Sequence, residues 1–250
     1  MRIWRGINAS CTSFIPRASL RNGQSYGLTP WLALALWPIG PLATPWPPPP
    51  TNSITGAQTR YNTQPAGNSV RVYGTSTAHD WEMDGSLIGG YIEFGAGVTL
   101  DKSQAAPAGL QGGKIPATAY VRIPVGSIHA KVDHLPEVMD SLMQKAMKAE
   151  NCPRIDFILK EMTFKGPHAA GKPFDLEVAG QLVIAGVTNN ASFPVTLEPL
   201  EGGKIKVSGG AAVKMTAYGV PPPAPNFGLG LMRCGDDVKV LFDWTLKEKK

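Results

Sequence analysis

Apolar and polar residues alternate in short segments over most of the chain, beginning near Val70. These segments are rich in β-branched and aromatic residues and are separated by Gly, Pro and Asn, which is typical of antiparallel strands. In the last segment, one face carries Val238, Val240, Phe242 and Trp244. The pattern predicts eight strands, at residues 70–78, 81–95, 118–127, 154–164, 174–184, 191–198, 204–214 and 237–246.

Eight antiparallel strands are enough to close a barrel, which removes the exposed edges of the sheet. We therefore expect a mainly β fold, an eight-stranded antiparallel barrel. A barrel of this size either fills its interior with side chains or encloses one small ligand. Candidate residues for the interior wall are the aromatic and aliphatic residues Tyr91, Phe94, Tyr120, Phe157, Phe164, Leu182, Val213, Phe242 and Trp244.

One segment, residues 136–150, departs from the β pattern. Its apolar residues recur at helical spacing and predict an amphipathic α-helix of about four turns inserted in mid-chain. Pro136 suits the first turn of that helix. Two interpretations stay open for the apolar stripe, a lid over the barrel mouth or ordinary packing against the barrel flank; the stripe contains Met139, Leu142, Met143 and Met147.

The first part of the chain has a different composition. Arginines without acids precede an apolar run at residues 31–43, and a proline run follows at residues 47–50. This order is typical of a secretory signal followed by a stiff linker. We expect a signal-like leader at 1–45, a Pro-rich linker at 46–68 and the barrel domain at 69–250, in a periplasmic or secreted protein. A disordered N-terminal extension is the alternative.

The charge distribution argues against nucleic-acid binding. The formal net charge is +5, but four arginines lie in the leader and the first acid is Asp80, so the folded part is close to neutral. Two cysteines, Cys152 and Cys234, each precede a predicted strand. One disulfide between them and two free thiols both remain open.

Catalytic patterns are not found in the sequence, and we expect no enzyme. The G-x-S-x-G pattern of a nucleophile elbow does not occur, and Ser76, His79 and Asp80 are too close along one segment to form a triad. A metal or haem site is a weaker alternative. It would rest on histidines without compact ligand spacing, which are His79, His129, His134 and His168.

Several ordered motifs resemble those of the YceI-like family over roughly residues 68–247. The first is Gly74-Thr-Ser-Thr-Ala-His-Asp-Trp81, which resembles the first-strand signature of the family. The others follow in the family's order at residues 123–127, 139–153, 154–158, 180–188, 214–220 and 235–238. The chain departs from the family pattern at Cys152, Asn189, Asn190 and Ala217.

The resemblance implies an extended, lipocalin-like barrel that is exported and holds a polyisoprenoid, quinone or similar long-chain amphiphile. No cofactor other than such a lipid is implied. By resemblance, Ser76, His79 and Trp81 are the first choices for contacts near the lipid headgroup. The alternative is a filled barrel that docks a membrane protein, and a homodimer is a further open possibility for its surface.

Overall fold

The computed structural model describes residues 58–132, 136–167, 169–224 and 233–249. One α-helix, α1, covers Pro136–Ala146, and two short 3-10 helices cover Val125–Ser127 and Thr216–Tyr218. The strands are β1 Thr59–Thr63, β2 Ser69–Ser76, β3 Trp81–Gly85, β4 Gly89–Phe94, β5 Ala117–Pro124, β6 Ile128–Ala130, β7 Arg154–Phe164, β8 Phe174–Ile184, β9 Val187–Leu200, β10 Lys204–Lys214 and β11 Cys234–Glu248.

The strands form a closed antiparallel barrel of eight members, which confirms the predicted fold class. Around the ring the order is β1, β4, β5, β7, β8, β9, β10 and β11, and β11 pairs back with β1. Strand β2 continues β1 along β11, and β3 and β6 likewise continue β4 and β5. The eleven described segments therefore make eight long, partly broken strands, and no edge of the ring is left unpaired.

Strand β1 was not predicted, because its residues fall in the segment assigned to the linker. Its sequence, Thr-Arg-Tyr-Asn-Thr, is polar apart from one aromatic residue and has no alternating pattern. Tertiary contacts hold it in place: Arg60 forms an ion pair with Glu93 at 2.6 Å, and the Trp244 indole donates to the Thr63 hydroxyl at 2.8 Å. The barrel therefore includes Thr59–Thr63, whereas the predicted leader at 1–45 and residues 46–57 lie outside the described residues.

The helix forms where the spacing of its apolar residues predicts it, and it ends one turn earlier than expected. After Ala146 the chain tightens into turns, and Lys148 adopts a left-handed conformation with φ of 55°. The N–H groups of Asn151 and Cys152 both bond to the Lys148 carbonyl, so the chain turns back toward β7. Among the described residues, no helix is long and apolar enough to cross a bilayer.

One end of the barrel is closed by a packed core. Its side chains come from β4, β8, β9, β10 and β11, and the seven largest fully buried ones are Phe94, Phe174, Ile92, Leu176, Leu197, Ile205 and Leu246. The connection between β4 and β5 covers the same end, where Ile115 is buried and Val98 and Leu110 pack against the core. We call this region the closed end, and the opposite region, next to α1, the mouth.

Candidate ligand-binding cavity

A cavity runs along the barrel axis from the closed end toward the mouth. It contains about 1110 Å³ of empty space, including the part open to its entrance. Every described side chain that lines it is apolar, and the lining comes from all eight long strands. We call this space the lumen. Five of the predicted wall residues line it, namely Phe157, Leu182, Val213, Phe242 and Trp244.

Three phenylalanine rings form a cluster on the lumen wall. The Phe193 ring centroid lies 5.2 Å from that of Phe157 and 6.1 Å from that of Phe242. Glycines on neighbouring strands provide room for two of these rings. A Cβ atom at Gly180 would lie 2.7 Å from Phe157 Cζ, and one at Gly209 would lie 2.9 Å from Phe242 Cζ. These glycines therefore allow aromatic side chains to lie across the strands, rather than leaving the volume of the lumen empty.

A second cavity continues the lumen at the mouth and contains about 1170 Å³ of empty space, including the part open to solvent. Six residues line both spaces, so the two adjoin at shared side chains; they are Val72, Ile128, Ile155, Ile184, Val213 and Val240. Five methionines line the mouth, namely Met83, Met139, Met143, Met147 and Met215. Thioether side chains are flexible and polarizable, so this wall can adapt to ligands of different shape.

Helix α1 forms one side of the mouth. All four residues of its predicted apolar stripe, Met139, Leu142, Met143 and Met147, line the cavity, and none of the helix residues is buried. The helix is connected to β6 through the Asp140 carboxylate. This carboxylate accepts the Ala130 N–H at 2.6 Å and lies 2.7 Å from His129 Nδ1. None of its side chains is fully buried, so displacing the helix would break fewer core contacts than displacing a barrel strand.

The motif around Ser76 contributes to the mouth wall, but two of its polar groups already have partners. The Ser76 hydroxyl accepts the N–H groups of Ala78 and His79 at 3.3 and 3.2 Å and donates to the His79 carbonyl at 2.6 Å. The Trp81 indole N–H donates to the Thr75 carbonyl at 3.0 Å. The Trp81 ring also lies over Gly74 on the paired strand, so that a Cβ atom there would overlap the indole. His79 also lines the mouth, and among the described residues no hydrogen bond holds its imidazole.

Two further polar residues in the mouth were not predicted to bind ligand. Tyr218 is buried beside Ala185 and Val220, and burial raises the pKa of its phenol. Cys234 is a free, half-buried thiol, and burial raises its pKa as well. Tyr218 lies in the 3-10 helix after β10, and only the folded chain brings it to the cavity. The alternation of apolar and polar residues along the sequence therefore does not predict its position there.

Neither of the two expected cysteine states is found: Cys234 is free and therefore not bonded to Cys152, whereas Cys152 is disulfide-bonded and therefore not a free thiol. The order of the strands gives the physical reason. Cys152 lies two residues before β7, and Cys234 begins β11. These two strands are on opposite sides of the eight-membered ring, with three strands between them in either direction.

Four predicted wall residues do not line either cavity. Phe94 and Phe164 lie at the closed end, where they pack in the core. Tyr91 and Tyr120 are on the outer surface, because Ile92 of β4 and Ala119 and Val121 of β5 point inward and successive residues alternate between faces. The sequence places apolar residues on both faces of these strands, so the pattern alone does not fix which face is internal.

The two tyrosines form an exterior network with charged residues. The Tyr91 ring lies 6.4 Å from that of Tyr120, and the Arg60 guanidinium lies 3.8 Å from the Tyr91 centroid. The Tyr120 hydroxyl donates to Asp156 at 2.7 Å, and burial together with this hydrogen bond raises the pKa of Tyr120 to about 12. These contacts stabilise the outside of the barrel and involve no part of the lumen.

The part of the chain that the structure describes contains no cluster of side chains that would support the alternative of a metal site. No group of three His, Cys, Asp or Glu side chains lies close enough there to hold an ion. His129 is in contact with Asp140, and His79 is in the mouth wall. His134 and His168 lie outside the described residues.

Comparison with known proteins adds three findings. The model of the YceI-like domain matches residues 61–246. BcnA of Burkholderia cenocepacia superposes with a TM-score of 0.52 at 17 % identity, covering 73 % of this chain and 98 % of that one. A polyisoprenoid binding domain from Saccharophagus degradans, implicated in plant cell wall breakdown, superposes with a TM-score of 0.53 at 11 % identity, covering 76 % and 98 %. The search of curated proteins gave no significant match.

Proposed function

The chain belongs to the YceI-like domain family, and from this premise we propose that it binds one long-chain isoprenoid lipid, such as a polyprenol or a quinone, with the chain in the lumen and the headgroup at the mouth. The observation that carries the proposal is the apolar lumen, which adjoins a second, largely apolar space at the mouth. The polyisoprenoid binding domain from Saccharophagus degradans, which shares the fold, supports the same class of ligand.

The free energy of such binding comes mainly from buried apolar area. Each methylene group that moves from water into an apolar site contributes about 0.8 kcal/mol. An isoprenoid chain contains many methylene groups and few groups that form hydrogen bonds. The lumen is lined only by apolar side chains, so burying the chain there leaves no polar group of the wall without a hydrogen-bonding partner. The family is a binding fold, and the proposed role needs no catalytic group.

Helix α1 acts in this proposal as a movable side of the mouth. The lipid chain must pass the methionines of the helix to reach the lumen, and the helix contributes no buried residue that would hold it firmly. Members of the family are typically periplasmic. We extend the proposal to export of this chain, with residues 1–45 as the signal, because arginines followed by an apolar run at residues 31–43 are typical of a secretory signal.

A reactive probe at Cys234 tests whether lipid occupies the mouth. The thiol lines the cavity and is half-buried, and its raised pKa makes alkylation slow near neutral pH. Loading the full chain with solanesol from mixed micelles is expected to slow alkylation of Cys234 by iodoacetamide at least about fivefold, because the ligand would cover the sulfur. Peptide mass spectrometry identifies the alkylated peptide as the one that contains Cys234, and Cys152 is disulfide-bonded and not available for alkylation.

Empty micelles are the control for an effect of detergent on the thiol. An unchanged alkylation rate at saturating solanesol would contradict binding at this mouth.

A further inference from the structure

We infer that Asp140 sets the rate at which lipid enters and leaves the cavity, because its carboxylate holds helix α1 against β6 at the side of the mouth. This inference rests on the proposed function and assigns a positioning residue to it. Asp140 is not among the described residues that line the mouth, whereas Met139, Leu142 and Met143 of the same helix are.

The first step concerns the edge of β6 that faces the helix. Strand β6 pairs with β3 and is the last strand in the order of the sheet. The Lys131 N–H bonds to the Glu82 carbonyl next to β3, so the N–H of the preceding residue, Ala130, points to the opposite edge. None of the described strands pairs with that edge, and the Asp140 carboxylate accepts the Ala130 N–H there at 2.6 Å. A side chain of α1 therefore takes the place of a neighbouring strand.

The second step concerns the strength of this connection. The Asp140 side chain is only 16 % exposed, and its second carboxylate oxygen lies 2.7 Å from His129 Nδ1. Hydrogen bonds to a charged acceptor are stronger than those between neutral groups, and a largely shielded carboxylate is weakened less by water than one on the surface. The carboxylate thus joins α1 to two successive residues of β6.

The third step concerns the kinetics of exchange. Displacing α1 from the mouth breaks the contacts of Asp140 with His129 and Ala130. Neither partner is among the described residues that line the mouth, so lipid in the cavity leaves these contacts in place. Contacts that are present in the closed mouth with and without lipid, and are broken when the mouth opens, raise the barriers to entry and exit equally. Their removal therefore speeds both steps and leaves the affinity unchanged.

The test measures the exchange rate and the affinity separately. The full chain is loaded with deuterated solanesol and mixed with an excess of unlabelled solanesol in micelles, and native mass spectrometry follows the replacement. Asp140→Ala is expected to speed the exchange at least about tenfold, equivalent to about 1.4 kcal/mol, because two contacts of a charged group are lost. Its affinity, measured in competition with the wild-type chain for limiting solanesol, is expected to change by less than about twofold.

Two further variants examine the cause of the faster exchange. Glu137→Ala removes a carboxylate from an exposed position of the same helix and is expected to exchange lipid at the wild-type rate. His129→Ala removes one of the two contacts from the side of β6. Because the His129 side chain is 59 % exposed, this change is tolerated by the fold, and it is expected to speed the exchange about threefold.

Three results would overturn the inference and leave the proposed function standing. The first is a wild-type exchange rate in His129→Ala and in Asp140→Ala, or in His129→Ala alone if the other variant does not fold. The second is an equal gain in rate in Glu137→Ala. The third is a loss of affinity in Asp140→Ala as large as its gain in exit rate, because that result indicates a damaged cavity wall. Failure of the wild-type chain to take up solanesol would instead remove the proposed function.

Discussion

Replacing Ala211 with Trp is expected to weaken the binding of long-chain lipid by at least roughly 50-fold. Ala211 lies on β10, lines the lumen and is paired with Val240, which lines both the lumen and the mouth. An indole at this point would block the passage between the two spaces. If it keeps only three methylene groups out of the lumen, the loss is about 2.4 kcal/mol, or roughly 50-fold in affinity.

The control for this variant is its neighbour on the same strand. Ala212 is exposed and paired with Lys239, so a Trp at position 212 points away from the lumen. Titration of both variants with solanesol, with circular dichroism to check folding, separates a blocked lumen from a disturbed strand. Equal affinity of Ala211→Trp and Ala212→Trp would show that the ligand does not enter the lumen.

Replacing Phe174 with Ala is expected to cause the largest loss of stability. The side chain is 0 % exposed, and its ring lies 6.3 Å from that of Phe164 at an interplanar angle of 71°. Truncation of a buried Phe to Ala typically lowers the free energy of unfolding by about 3–5 kcal/mol. We expect a value in this range for the lipid-free protein, measured by urea denaturation.

The matched variant Phe157→Ala distinguishes the two ends of the barrel. Phe157 borders the lumen, so its ring already has empty space on one side, although it packs against Phe193. Its truncation is expected to lower the free energy of unfolding by less than half as much as that of Phe174, because fewer contacts are lost. An equal loss would indicate a lumen that is packed like the closed end.

Those parts of the fold with a strong local pattern could be predicted from the sequence. In β11 the residues Val240, Phe242 and Trp244 recur at every second position, and all three face the lumen as expected. In α1 the methionines recur at helical spacing, and their side chains share one face. A single buried face produces such periodicity, so the pattern identifies both the element and its inner side.

The parts that depend on tertiary structure could not be predicted. Tyr91 and Tyr120 resemble interior residues by type, yet the register of β4 and β5 places them outside. Strand β1 carries almost no apolar residues, and contacts with distant partners such as Glu93 fix it in the ring. Likewise, the positions of Cys152 and Cys234 on opposite sides of the barrel follow from strand order, which spacing along the chain does not encode.

Only some of the residues at the mouth could be named from the sequence. The family resemblance of the motif at residues 74–81 suggested Ser76, His79 and Trp81, and all three line the mouth. The structure gives them different contacts, because the Ser76 hydroxyl and the Trp81 indole are hydrogen-bonded to the backbone, whereas no described hydrogen bond holds the His79 imidazole. Tyr218 and Cys234 also line the mouth, but they are distant in sequence from this motif and only the folded chain brings them there.

Native mass spectrometry of the full chain, purified without denaturation, tests the central claim most directly. The account predicts a discrete added mass that disappears on denaturation and is recovered in the solvent extract as an isoprenoid lipid. A protein that is found only at its own mass, and that stays so after incubation with polyprenols and quinones, would contradict the account.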